Sequence, residues 1–108
     1  MLQSAFSHKV CRSRAGEGTR IWLEGDRLKA ANFIWGAMAA RQWSKNRLTL
    51  VRIDRDVFDK LPRSLKTQIA GTADRPIIDI TGQNVRSTFP TGNVTVTYSL
   101  DRITIDGV

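Results

Sequence analysis

The sequence predicts a mainly β protein with short helices, built from two similar units that share one core. Three observations lead there: strand-type alternation of apolar residues, glycines at matched places, and an internal repeat within 108 residues. Arg20-Ile21-Trp22-Leu23-Glu24-Gly25-Asp26-Arg27-Leu28 aligns with the stretch Pro76 to Val85, so that Ile21, Leu23, Gly25 and Leu28 meet Ile78, Ile80, Gly82 and Val85 at an offset of 57. Phe33 and Gly36 then meet Phe89 and Gly92 at an offset of 56, and Arg47-Leu48-Thr49-Leu50 meets Arg102-Ile103-Thr104-Ile105 at 55. Two single-residue gaps are all the alignment needs.

Residues 1–19 are rich in Ser, Gly and Arg and lack an apolar period, which reads as a flexible basic lead-in. Gln3, Ser4, Ser7, His8 and Lys9 interrupt any secretory apolar stretch. The first unit spans 20–51. Ile21 and Leu23 alternate as in a half-buried strand, Gly25 closes it, and Asp26 is placed to cap a short helix running toward Asn32. A hairpin ending in Arg47 to Val51 follows. The linker, 52–74, carries Pro62 and Gly71 and reads either as a short helix with Leu65 and Ile69 on one face or as a charged loop. The second unit, 75–108, repeats the series: the strand with Ile78 and Ile80, Gly82, a short helix over Gln83 to Thr88, then alternating Val94, Val96 and Tyr98. A tight turn at Ser99-Leu100-Asp101 leads into Arg102 to Asp106. A unit of about 30 residues cannot bury enough apolar surface alone, so the two must share a core.

Charge and length narrow the function. One hundred and eight residues exclude a large multidomain enzyme, and no apolar run approaches the roughly 20 residues of a membrane-spanning helix. The net charge is +7, with +3 in residues 1–20, +3 in 21–50, +1 in 51–74 and none in 75–108. A basic field concentrated in the first half makes a polyanion the first partner to consider, since Lys and Arg that neutralise phosphates release counterions. The alternative is a charge that only aids solubility. Lys9, Arg12 and Arg14 form either an arm along a phosphate backbone or a solvated tail. Cys11 has no cysteine partner and His8 is the only histidine, so zinc arrangements lack ligands, no cofactor is implied, and a reducing, cytoplasmic setting is the default.

The run Ile21-Trp22-Leu23-Glu24-Gly25-Asp26-Arg27-Leu28-Lys29-Ala30-Ala31-Asn32-Phe33, with its following Gly and the Arg47-Leu48-Thr49-Leu50-Val51 strand, resembles the SymE-like branch of the SpoVT-AbrB swapped-hairpin superfamily. The second unit, from Arg75 to Ile105, is similar to the AbrB version. The resemblance covers about 62 of 108 residues. It implies a small barrel in which two units exchange hairpins, here as a pseudo-dimer within one chain. It also implies DNA binding through basic residues around the first strand and helix, which fall on Arg20, Arg27 and Lys29 in the first unit and on Arg75 and Arg86 in the second. Asn84 occupies the place of Arg27, so the basic face should be lopsided. Arg41 and Arg47 join the same face. Trp22, out of phase with the core residues, and Trp43, among Arg41, Lys45 and Arg47, are either stacking platforms or packing residues.

An enzymatic reading rests on Asp54, Asp56 and Asp59 holding Mg²⁺ for phosphodiester hydrolysis, with Glu24 or Asp79 contributing. SymE-like proteins are regarded as RNA-cleaving toxins, which the resemblance carries over. The interleaved Arg52, Arg55 and Lys60 oppose it. His8 with Cys11 lacks a third partner for nucleophilic catalysis, and Gly16-Glu17-Gly18 lacks the lysine of a phosphate loop. The leading expectation is a non-enzymatic nucleic-acid-binding protein, duplex DNA before RNA. The alternative is a phage or mobile-element interaction module that docks on a nucleic-acid-handling complex. A homodimer through exposed strand edges is left open.

Overall fold

The computed structural model describes residues 3–9, 11–12, 19–90 and 92–107, with side chains from residue 20 onward. The first half contributes β1 (Gln3–Lys9), β2 (Cys11–Arg12), β3 (Thr19–Glu24), α1 (Asp26–Ala30), β4 (Met38–Ser44) and β5 (Arg47–Ile53). After α2 (Arg55–Lys60) and a 3₁₀ turn (Arg63–Leu65), the second half contributes β6 (Lys66–Gln68), β7 (Ala70–Gly71), β8 (Pro76–Gly82), α3 (Gln83–Thr88), β9 (Asn93–Ser99) and β10 (Arg102–Gly107). The protein is mainly β, in two antiparallel sheets ordered β1-β9-β10-β5-β4-β6 and β2-β3-β8-β7, and neither sheet closes on itself.

The period-two alternation decides which faces meet. Ile21, Leu23, Ile78 and Ile80 of the smaller sheet and Ala39, Leu48, Leu50, Val94, Val96, Ile103 and Ile105 of the larger are all buried. With Leu28 and Val85 from the helices and Phe33 and Phe89 behind them they form a single apolar cluster. Each helix packs on the first strand of the other half as well as its own, α1 on β8 and α3 on β3.

The ladders have a register that the repeat makes self-consistent. Ile21 pairs with Ile80 and Leu23 with Ile78, two pairs that exchange under the offset of 57, and Trp22 faces Asp79, its own aligned residue. Likewise Leu48 pairs with Ile105 and Leu50 with Ile103, while Thr49 faces Thr104. Each ladder is centred on a residue and its aligned mate. The hairpin turns match as well: Asn46 and Asp101 both have φ near +60°, which short polar side chains tolerate. Asn46 carbonyl accepts from Gly107 N–H at 2.9 Å, and Asp101 carbonyl accepts from Arg52 N–H at 3.0 Å.

Three expectations change. Gln3–Lys9, read as part of a lead-in without regular structure, is a strand running antiparallel along β9, and Cys11–Arg12 pairs with β3. Its sequence, with apolar residues only at Ala5 and Phe6, carries no period of its own; the ladder comes from the β9 edge. The linker helix lies over Arg55–Lys60, capped by Asp54, whose Oδ1 accepts from Val57 N–H at 3.0 Å. Leu65 and Ile69 do not share a helical face: Leu65 ends the 3₁₀ turn and Ile69 is buried between β6 and β7. The linker thus supplies strands, β6 along β4 as β1 runs along β9, and β7 along β8 as β2 runs along β3. Finally, Asp26 does not cap α1. Gly25 is the cap residue, without a side-chain bond, and Asp26 is the first helical residue, 3.7 Å from Lys29. Arg14 and the Gly16-Glu17-Gly18 stretch lie outside the described residues, as do the side chains of His8, Lys9, Cys11 and Arg12.

Candidate nucleic-acid interface

Strand β4 places Ala39, Arg41 and Trp43 on one face by its two-residue period. Ala39 is buried, and Arg41 and Trp43 continue its line toward the strand end, half-buried. Antiparallel pairing of Met38, Ala39 and Ala40 with Gln68, Thr67 and Lys66 sets β6 beside them. The 3₁₀ turn that precedes β6 packs on β4, so Arg63 and Ser64 come alongside. Opposite lies the end of β8, where Thr81 and Gly82 lead into Gln83 and Asn84 of α3. Together these walls enclose a groove of about 650 Å³.

The groove is electropositive. Arg41, Arg63 and Lys66 line it, and none forms an ion pair with a described carboxylate. Lys66 Nζ donates to Phe58 carbonyl at 3.1 Å and sits 4.5 Å from that ring's centre, contacts that hold the ammonium without cancelling its charge. The one acid in the groove wall, Asp79, is engaged by Arg20, whose Nε lies 3.1 Å from Oδ1 but off the axis of a good hydrogen bond. Burial lowers the pKa of Arg41 from its ordinary value, and a guanidinium still holds its proton at neutral pH. Arg41 Nε and Trp43 Nε1 are both buried without a hydrogen-bond acceptor among the described residues.

Of the seven basic residues read from the sequence, Arg20, Lys29, Arg47 and Arg75 are matched by carboxylates. Arg20 stacks over Trp22 at 5.7 Å while it pairs with Asp79. Arg75 pairs with Glu24 at 3.2 Å and Arg47 with Asp106 at 2.6 Å. Cross-strand neighbours supply these carboxylates, and a reading that treats each strand alone does not see them. Arg27 and Lys29 are exposed on α1 and Arg86 on α3. Of the seven, only Arg41 lines the groove. Asn84, read as weakening the second unit's surface, is also part of its wall.

Arg63, Lys66 and the polar Ser64, Thr67 and Gln68 were not legible as site residues, because they fall in the segment taken for a linker. In the structure Thr67 and Ile69 are buried while Gln68 between them is exposed, but the polar Lys66-Thr67-Gln68 carries no apolar period that would have shown it. The carboxylates weighed for metal catalysis are dispersed in role. Asp54 caps α2, Asp59 lies 3.9 Å from Arg55, and Glu24 and Asp79 are paired on the smaller sheet. Among the described residues no group of three or more His, Cys, Asp or Glu is placed to hold a metal ion, and no helix is long and apolar enough to cross a membrane.

No protein-family model, curated protein or solved structure matches the chain.

Proposed function

We propose that the chain is a small, non-enzymatic nucleic-acid-binding protein, with duplex DNA ahead of RNA as its ligand, and that it is a swapped-hairpin fold of the SpoVT-AbrB type made from one chain. In support of the architecture, each hairpin finds its outside ladder partners in the other half: β9–β10 lies between β1 and β5, and β4–β5 between β10 and β6.

The observation that carries the functional reading is the groove with three cations and no free acid. Concentrated, uncompensated positive charge in a concave site suits phosphate contacts, which set affinity and register, with base reading left to few side chains. Ser64, Thr67, Gln68 and Asn84 add donors and acceptors around those cations. Arg27 and Arg86 extend the field along the helices, Lys29 less so because Asp26 lies 3.7 Å from it.

Fluorescence anisotropy of labelled duplex DNA, single-stranded DNA and RNA at two salt concentrations tests this. Arg41→Ala, Arg63→Ala and Lys66→Ala should each reduce the slope of log affinity against log salt by about one unit. Arg47→Ala and Arg75→Ala, whose cations are already matched by Asp106 and Glu24, should change it far less. Absence of binding at about 0.15 M salt overturns the reading.

A second reading has its own observation. Ile34 and Trp35 are adjacent and 49% and 57% exposed, which suits docking on a protein of a nucleic-acid-handling complex. In that case Trp35→Ala keeps its melting temperature and loses a co-purifying partner, while free DNA binds weakly and without preference.

A further inference from the structure

We infer that the groove between β4, β6 and the β8–α3 junction is a pocket for one nucleotide-sized phosphate ester, with the oxyanion taken by Arg41 and Trp43. The inference rests on the nucleic-acid reading and names the chemical unit that the groove would hold.

Arg41 is where a core residue belongs. At the offset of 55 its aligned mate is Val96, fully buried, and the mate of Trp43 is Tyr98, also buried. The other half therefore fills these two places with apolar or aromatic packing, whereas this half sets there a partly desolvated guanidinium that no described carboxylate pairs. An unpaired charge so placed is destabilising unless something compensates it. The two side chains are two residues apart on one face of a strand, about 7 Å along it. Arg41 Nε and Trp43 Nε1 are each buried with no acceptor among the described residues. Both residues line the groove, and a cation with two neighbouring N–H groups that lack a described acceptor is chemistry that a negatively charged acceptor from outside would satisfy once the side chains turn toward it.

The remaining lining suits the rest of a nucleotide. Arg63 and Lys66 add charge, Ser64 and Thr67 offer hydroxyls, and Gln68, Gln83 and Asn84 carry amides able to meet the donor and acceptor edges of a base. Gln68 keeps one amide hydrogen on Gly36 carbonyl at 3.2 Å, which fixes its orientation and leaves its oxygen available. A volume of about 650 Å³ falls in the range of small-ligand pockets, so that of any nucleic acid lying along this face the groove would take one phosphate-bearing unit. The phosphate could come from a free mononucleotide or from the end of a strand, and the same atoms would hold either.

The test is titration of the full chain with adenosine 5′-monophosphate, adenosine and inorganic phosphate, and with a short single strand carrying either a 5′-phosphate or a 5′-hydroxyl. Tryptophan fluorescence and calorimetry report binding. The expected result is that the mononucleotide binds about tenfold or more tightly than adenosine, and that Arg41→Met, which keeps the apolar stem, removes most of that preference. Trp43→Phe keeps the ring and deletes the N–H. It should weaken the mononucleotide severalfold and identifies the site even where Arg41→Met fails to fold. Preference for the 5′-phosphorylated strand over the hydroxyl strand assigns the ligand to strand ends; equal binding of the strands beside tight mononucleotide binding assigns it to free nucleotides. Salt-sensitive binding of DNA with no mononucleotide binding overturns the pocket and leaves the nucleic-acid reading standing. Mononucleotide binding that neither variant alters also overturns it, and loss of all binding overturns both.

Discussion

Gly82 enters α3 with φ near +120°, and Gly25 enters α1 with φ near +89°, so each first strand turns into its helix through a backbone state closed to most side chains. A Cβ at Gly82 would meet nothing within 4 Å, which leaves the backbone as the only penalty. Gly82→Ala should therefore destabilise the fold by about 1 to 2 kcal/mol, seen as a lower urea midpoint with unchanged slope. Tyr98 gives a residue-scale dependence on pH. Burial raises its pKa above the usual tyrosine value, and the positive charge of Arg27 opposes that only in part. The folded state then holds the phenolic proton more tightly than the unfolded chain does. Stability from this group is complete below the unfolded pKa of about 10 and is lost as pH rises from there through the higher folded value. Denaturation followed between about pH 9 and 11 should show that decline, and Tyr98→Phe should flatten it.

At the level of elements, what the sequence disclosed depends on where each strand's order comes from. Strands β3, β5, β8, β9 and β10 carry apolar residues at period two, and the structure has strands there because half of each buries in a shared core. Strands β1 and β6 do not. Lys66-Thr67-Gln68 is polar, and it pairs because β4 would otherwise leave an open edge. Backbone groups, not side-chain pattern, recruit such segments, which is why two stretches read as lead-in and linker became sheet. The site was legible to the same extent: Arg41 could be read from a strand, but Arg63 and Lys66 depended on an edge pairing that no periodicity announces. Strand β1 covers β9 over seven residue pairs, from Gln3–Ser99 to Lys9–Asn93. Deleting residues 1–10 should uncover that edge. The expected outcome is a lower melting temperature together with concentration-dependent association on size-exclusion chromatography, as unpaired strands template one another. A monomer with unaltered melting would show that β1 adds nothing to the β9 edge.

Across the whole molecule, the ladders that hold the two halves together run between them: β1 with β9, β3 with β8, β5 with β10 and β4 with β6. Within one half, Ile21 and Leu23 would face water without Ile78, Ile80 and α3, and Leu48 and Leu50 would lose Ile103 and Ile105. A half of roughly 60 residues is already at the margin of what burial can stabilise, and removing its mate also takes away the strands that cover its apolar face. The chain can be divided between Leu61 and Pro62, where α2 has ended and β6 has not begun, without cutting a strand or a buried residue. Expressed separately, residues 1–61 and 62–108 should each show little regular structure by circular dichroism. Mixed, they should form a one-to-one complex with the spectrum of the intact chain and a melting transition that rises with concentration, as it must when folding and association are one event. Joining them in one chain removes that concentration dependence, and it allows one half to carry Arg41 where the other keeps Val96. A cooperative transition from either half alone would mean separate cores, and the ladders between the halves would then be a docking arrangement between domains that already fold independently.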